Sequence, residues 1–149
     1  METLKVRGTL QDIEPVINYA VTAAHEAGFK KQELHRVRLA VDEIATNIVV
    51  HGYKEAGRSG DLSISTKYDE EQLTIFLEDT GEEYDPRNAL PPNMDSSVGK
   101  RPLGGLGVYL ALWAVDQFFY EHKKNRNRST LIVQKPCPHP PCHDTQQSL

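Results

Sequence analysis

Glu43 and Asn47 stand four residues apart in this 149-residue chain, one helical turn, so that on a helix they share one shoulder. Asn is a poor occupant of a helix interior, but its amide oxygen is a hard ligand. Mg²⁺ accepts one or two such protein groups, plus waters and phosphate oxygens. Glu43, one turn earlier, could take a proton from an attacking hydroxyl or water. Asp42 beside it has nearly the same claim, and only the spacing to Asn47 separates the two. Asp79 closes an apolar run, where a carboxylate is costly unless it meets a donor such as an adenine amine, and Gly81 would let a base lie close to the backbone. Gly104-Gly105-Leu106-Gly107 opens an apolar helical pattern, exposing N–H groups that suit phosphates. In this order the clusters read as a site for ATP and Mg²⁺. Each also has an ordinary reading: a backbone-bonded Asn, a surface Glu, an Asp-x-Gly turn, a flexible helix entry.

The elements that must position these residues are legible from periodicity. Leu4 and Val6 suggest a first strand. Ile13, Val16, Ile17, Ala20, Val21 and Ala24 make one helical stripe, which Gly28 ends. A second helix runs from about Lys31 to Val50 on Leu34, Val37, Val41, Ile44 and Ile48, with Glu43 and Asn47 rotated off that stripe. Leu62, Ile64 and Thr66 alternate as a half-buried strand, and Leu73, Ile75 and Leu77 return after an acidic turn to deliver Asp79. A long Pro-containing loop follows, of the kind usually functional or disordered. Leu106, Leu110, Trp113 and Ala114 mark a third helix, and Phe118–Glu121 with Thr130–Val133 a closing hairpin. This order predicts an α+β fold: a two-layer α/β sandwich with a mixed, mostly antiparallel sheet and helices on one face. Residues 1–135 form the domain, and 136–149 a Pro-rich tail without regular structure.

Bulk properties narrow the classes. The length suits one core, and 38% hydrophobic with 26% charged residues is ordinary for a globular protein. A formal charge of −4 argues against general nucleic-acid binding. Lys123, Lys124, Arg126 and Arg128 read as a solvated turn. Neither a membrane span nor a signal region is visible, so a cytoplasmic location is expected. Cys137 and Cys142 lie in the tail, where Cys137 to His143 could in principle hold a soft metal, although the spacing is tight. The P-loop, Rossmann and eukaryotic-type kinase fingerprints are absent.

Asp42-Glu43-Ile44-Ala45-Thr46-Asn47, followed by His51-Gly52-Tyr53, resembles the N-box of the Bergerat-fold (GHKL) ATPases, the superfamily of gyrase, Hsp90, histidine kinases and MutL. Glu78-Asp79-Thr80-Gly81 with Tyr84-Asp85-Pro86 resembles its first glycine box, and Arg101-Pro102-Leu103-Gly104-Gly105-Leu106-Gly107 its second. Within the superfamily the motifs are most similar to bacterial anti-sigma-factor serine/threonine kinases, over roughly residues 5 to 135. The resemblance implies an ATP- and Mg²⁺-dependent serine/threonine-protein kinase that phosphorylates an antagonist protein and sequesters a sigma factor; a homodimer is one assembly open to it. It implies that Asn47 holds Mg²⁺ and Glu43 is general base, and that Asp79 and Gly81 recognise adenine with help from Thr130. Gly104, Gly105 and Gly107 would contact phosphates, and Lys100 or Arg101 would steady the γ-phosphate. Glu83 departs from the pattern, standing where many members carry a small residue or proline. The alternative is a catalytically inactive module that binds a protein partner under nucleotide control.

Overall fold

The computed structural model describes residues 2–89 and 105–136. Strand β1 (Leu4–Arg7) leads into helices α1 (Ile13–Glu26) and α2 (Lys31–Asn47), and α2 runs on into a π-helical turn, Ile48–Lys54. Strands β2 (Asp61–Tyr68) and β3 (Gln72–Asp79) follow, then α3 (Gly105–Ala114), β4 (Gln117–Lys123) and β5 (Arg126–Gln134). The sheet order is β1-β2-β3-β5-β4. Every neighbouring pair is antiparallel, so the expected mixed sheet is antiparallel throughout.

Local chemistry accounts for the turns. Asp69 Oδ1 accepts the N–H groups of Glu71 and Gln72 at 2.7 and 2.9 Å, closing the β2–β3 hairpin. Lys124 and Asn125 join β4 to β5 with φ of 53° and 63°, the doubly left-handed pair that matches strand twist in a two-residue hairpin. Gly28, at φ 96°, ends α1 where a side chain would be strained.

The core lies between one sheet face and the helices. Leu62, Ile64, Leu73, Ile75, Leu77, Leu131 and Val133 alternate inward and are fully buried, against Val16 and Ala20 of α1 and Val37, Val41 and Ile44 of α2. Each such aliphatic side chain contributes about 1.5–3 kcal/mol by leaving water. The opposite face carries charge: Arg128 and Arg126 reach Glu78 at 2.7 and 3.6 Å, and Arg128 lies over the Phe76 ring.

Helix α3 buries Val108, Ala111 and Ala114, whereas Tyr109, Leu110 and Trp113 face solvent, Trp113 being 71% exposed. A helix apolar all round has no periodicity to say which face turns inward. Packing against α2 decides it, and Arg36 of α2 donates from Nε to Ala114 O at 2.9 Å, satisfying a carbonyl at the end of α3.

Candidate nucleotide-binding site

Strand alternation carries Asp79 to the same side as Leu73, Ile75 and Leu77, and it is 4% exposed. Its Oδ1 accepts hydrogen bonds from Gly81 N–H and from Asn127 Nδ2, both at 2.8 Å. Both of these bonds fall on Oδ1. Asn127 is directly opposite Asp79 in the β3–β5 ladder and 2% exposed. It also donates to Gly81 O at 3.1 Å, while its Oδ1 accepts from Tyr120 OH at 2.9 Å and from His122 Nδ1 at 2.6 Å. Burial pushes the Asp79 carboxyl up from its ordinary range, against the opposing pull of Asn127, the Gly81 N–H and His122.

The π-helical turn places backbone against this strand end. Its wider bonding shows in Glu55 N–H to Val50 O and Arg58 N–H to Tyr53 O, each 2.8 Å. Such turns recur at functional sites. Glu82 N–H donates to Gly52 O at 2.7 Å, and a Cβ at Gly81 would stand 2.6 Å from that same oxygen. The space beside Gly81, expected to be open to a base, is therefore filled by the Gly52 backbone on the Cβ side. Tyr53 OH donates to Asp61 O at 2.5 Å and accepts the Thr80 N–H at 2.8 Å, holding the Asp79–Gly81 turn from behind.

Glu43 and Asn47 face a cavity of about 320 Å³, completed by Thr46, Val50, His51, Glu55 and Val108. The His51 ring stacks on Tyr84 with centroids 4.6 Å apart. A Cβ at Gly107 would stand 2.3 Å from Glu43 Oε1, so the missing side chain in the first turns of α3 leaves the room this carboxylate occupies. Burial, and then the neighbouring Asp42, push the Glu43 carboxyl up. The two acids separate here: Asp42 is exposed and accepts from Thr46 Oγ1 at 3.3 Å, whereas Glu43 lines the cavity.

Asn47 is 7% exposed, and its Nδ2 is buried with no hydrogen-bond partner among the described residues. An orphaned buried NH₂ costs about 1–3 kcal/mol in lost hydration; as a donor it would be completed by an acceptor oxygen of a ligand, which leaves the amide oxygen for a cation. No cluster of three His, Cys, Asp or Glu side chains among the described residues could hold a metal unaided. A lone amide beside a carboxylate does fit Mg²⁺, which takes its other ligands from phosphate and water.

Thr130 requires a correction. It pairs with Phe76, and register parity puts both on the sheet face opposite Asp79. The inward residues of β5 near Asp79 are Asn127 and the buried Ser129, which sequence reasoning missed. Their only signal was parity relative to a strand far away in the chain. Gly105 begins α3. Lys100, Arg101, Gly104 and the Cys137–His143 segment lie outside the described residues.

An antiparallel sheet covered on one face by helices, with a buried strand-end carboxylate and, on a covering helix, a Glu/Asn pair facing a cavity, defines a class. Residues 6–135 match the histidine kinase-like ATPase domain, and the chain belongs to that family of ATP-binding domains. It is 31% identical over 116 residues to the serine-protein kinase RsbW of Bacillus cereus, spanning 75% of this chain and 69% of that one. Similarity to RsbW of Bacillus licheniformis is 29% over 98 residues, and there the match spans 61% of the relative's length. Two solved structures share the fold. The catalytic domain of histidine kinase ThkA has a TM-score of 0.51 at 11% identity, covering 91% of this chain and 97% of that one. A chain of the SiaB–SiaC complex from Pseudomonas aeruginosa has a TM-score of 0.51 at 16% identity, covering 88% and 89%.

Proposed function

We propose that this chain is an ATP- and Mg²⁺-dependent serine/threonine-protein kinase that acts as an anti-sigma regulatory factor. It phosphorylates an antagonist protein and, in the alternative state of the switch, sequesters a sigma factor. The carrying observation is the Glu43 carboxylate seated against Gly107, one turn from an unpartnered buried Asn47. The RsbW relatives, named serine-protein kinases, support the reading. A cytoplasmic location belongs to this reading because its partners act on transcription; no helix among the described residues is long and apolar enough to cross a membrane.

Asp79 Oδ2 accepts the exocyclic amine of adenine, held in place by the bonds on Oδ1. Asn47 would hold Mg²⁺ through its amide oxygen, and the ion would supply charge neutralisation for the phosphates. Gly105 and Gly107 leave backbone N–H groups for phosphate at the start of α3, and Gly104 would join them in the reading. Lys100 or Arg101 meets the γ-phosphate. Glu43 takes the proton of the acceptor Ser or Thr hydroxyl as its oxygen bonds to the γ-phosphorus and ADP leaves. A carboxyl pushed upward is a better base for that task than an ordinary one.

The test is a pull-down from native cytosol with and without γ-labelled ATP, followed by phosphosite mapping. A partner labelled on Ser or Thr is expected. A partner retained only with ATP and never labelled would instead establish a nucleotide-gated binding module.

A further inference from the structure

Asn127 is more buried than Asp79, and all of its polar atoms are engaged. Its amide has one workable orientation. Turned over, its oxygen would face the Asp79 carboxylate and Gly81 O, both acceptors, while its NH₂ would face Tyr120 and His122. Tyr120 OH accepts the Tyr84 N–H at 3.0 Å, which leaves its own proton for Asn127 Oδ1. His122 donates from Nδ1, and its Nε2 stands 4.0 Å from Glu83, the residue that departs from the family pattern.

We propose that Asn127, locked by Tyr120 and His122, is the specificity-determining positioning residue of the nucleotide site: it keeps Asp79 ionised with Oδ2 free, and so sets the preference for adenine over guanine nucleotides. The inference rests on the reading of Asp79 as the base-binding carboxylate. An ionised carboxyl is acceptor-only and matches the adenine amine, whereas guanine presents a carbonyl at that position. A protonated carboxyl can donate, and the distinction is lost. Burial favours the protonated form, and the Asn127 donor opposes it. Among the described residues, the ionisable groups that act on or are acted on by Asp79 are His122 and Tyr120 from β4 and Tyr53 from the π-helical turn. Burial pushes the Tyr120 hydroxyl up to about 12 and the Tyr53 hydroxyl up as well, so both stay neutral. A charged His122 reinforces the ionised carboxyl.

Mg-ATP and Mg-GTP affinities of the wild type, Asn127→Ala, Tyr120→Phe and Asp79→Asn are to be measured by calorimetry from about pH 6 to about pH 8.5, with melting curves at each pH. Wild-type ATP affinity should be flat. In Asn127→Ala it should weaken as pH falls, with the ATP:GTP preference at about pH 6 clearly below that at about pH 8.5. Tyr120→Phe should fall between the two, and it decides the matter if Asn127→Ala does not fold. A wild-type pH profile and ATP:GTP ratio in the altered proteins overturns the inference, as does equal loss of both nucleotides at every pH, the mark of a merely structural residue. If Asp79→Asn binds ATP as the wild type does, or the wild type binds none, the base-binding reading falls and takes this one with it. Loss of ATP in Asp79→Asn beside an unchanged Asn127→Ala removes the inference alone.

Discussion

At Asn47 the folded chain carries a buried amide whose nitrogen no described residue satisfies. Truncation should therefore relieve a desolvation cost while removing the proposed metal ligand. Asn47→Ala is expected to melt at or above the wild-type temperature and to lose Mg-dependent ATP binding in calorimetry; unchanged Mg-ATP affinity would clear it from the site. Glu43→Gln keeps size and much of the hydrogen bonding but cannot accept a proton. It should retain Mg-ATP and partner binding while transfer falls by roughly 10²–10⁴-fold, the usual worth of a general base. Because the Glu43 carboxyl is pushed above 4.5, transfer should rise with pH through the region above that value. The sign for stability is opposite: the folded state holds this proton longer than the unfolded one, so the contribution present at low pH is lost as pH rises through the raised pKa.

At the scale of elements, two glycines should behave differently although both abut a close neighbour. A methyl at Gly81 would meet the Gly52 carbonyl at 2.6 Å, backbone against backbone, with no rotamer to relieve it. Gly81→Ala should therefore lower the melting temperature and loosen Asp79 together. A methyl at Gly107 would meet the end of a Glu43 side chain that can swing away, and Ala suits a helix about 1 kcal/mol better than Gly. Gly107→Ala is expected to fold normally and still lose phosphoryl transfer, read by melting and labelled-ATP assay on the same sample. A destabilised Gly107→Ala would mean that α3 cannot yield there. Tyr53→Phe deprives the Thr80 N–H of its acceptor and Asp61 O of its donor. That should cost about 1–3 kcal/mol, visible as a drop of several degrees in melting.

For the whole molecule, the proposed nucleotide site draws on elements remote in sequence: α2, the π-helical turn, the end of β3, β5 and the start of α3. A ligand that touches them all should stabilise the fold as a unit. At a hundredfold excess over its dissociation constant, Mg-ATP should add about 2.7 kcal/mol, a melting shift of several degrees. Asp79→Asn should abolish the shift if the base contact anchors the ligand. An unchanged shift would place the nucleotide elsewhere on the surface.

Order and type of the elements were legible in the sequence because their signals are local. Alternation in 62–66 and 73–77, the helical stripes before Gly28 and through Ile48, and the acidic turn at Asp69 each depend on neighbours a few positions away. The Glu43/Asn47 spacing and the Asp79 strand end follow from the same periodicities. What tertiary structure decided depends on contacts between distant segments. Whether Asn127 or Thr130 faces Asp79 is a matter of β3–β5 register, and a shift of one residue exchanges the faces. The partner that locks Asp79 lies 48 positions away. The need for glycine at position 81 comes from the Gly52 backbone crossing it, brought there by a π-helical turn that no apolar periodicity announces. Helix α3, apolar all round, takes its buried face from α2 rather than from its own pattern. Propensity and period act within a turn or a strand, while register and backbone approach are set only when the sheet and helices close on one another.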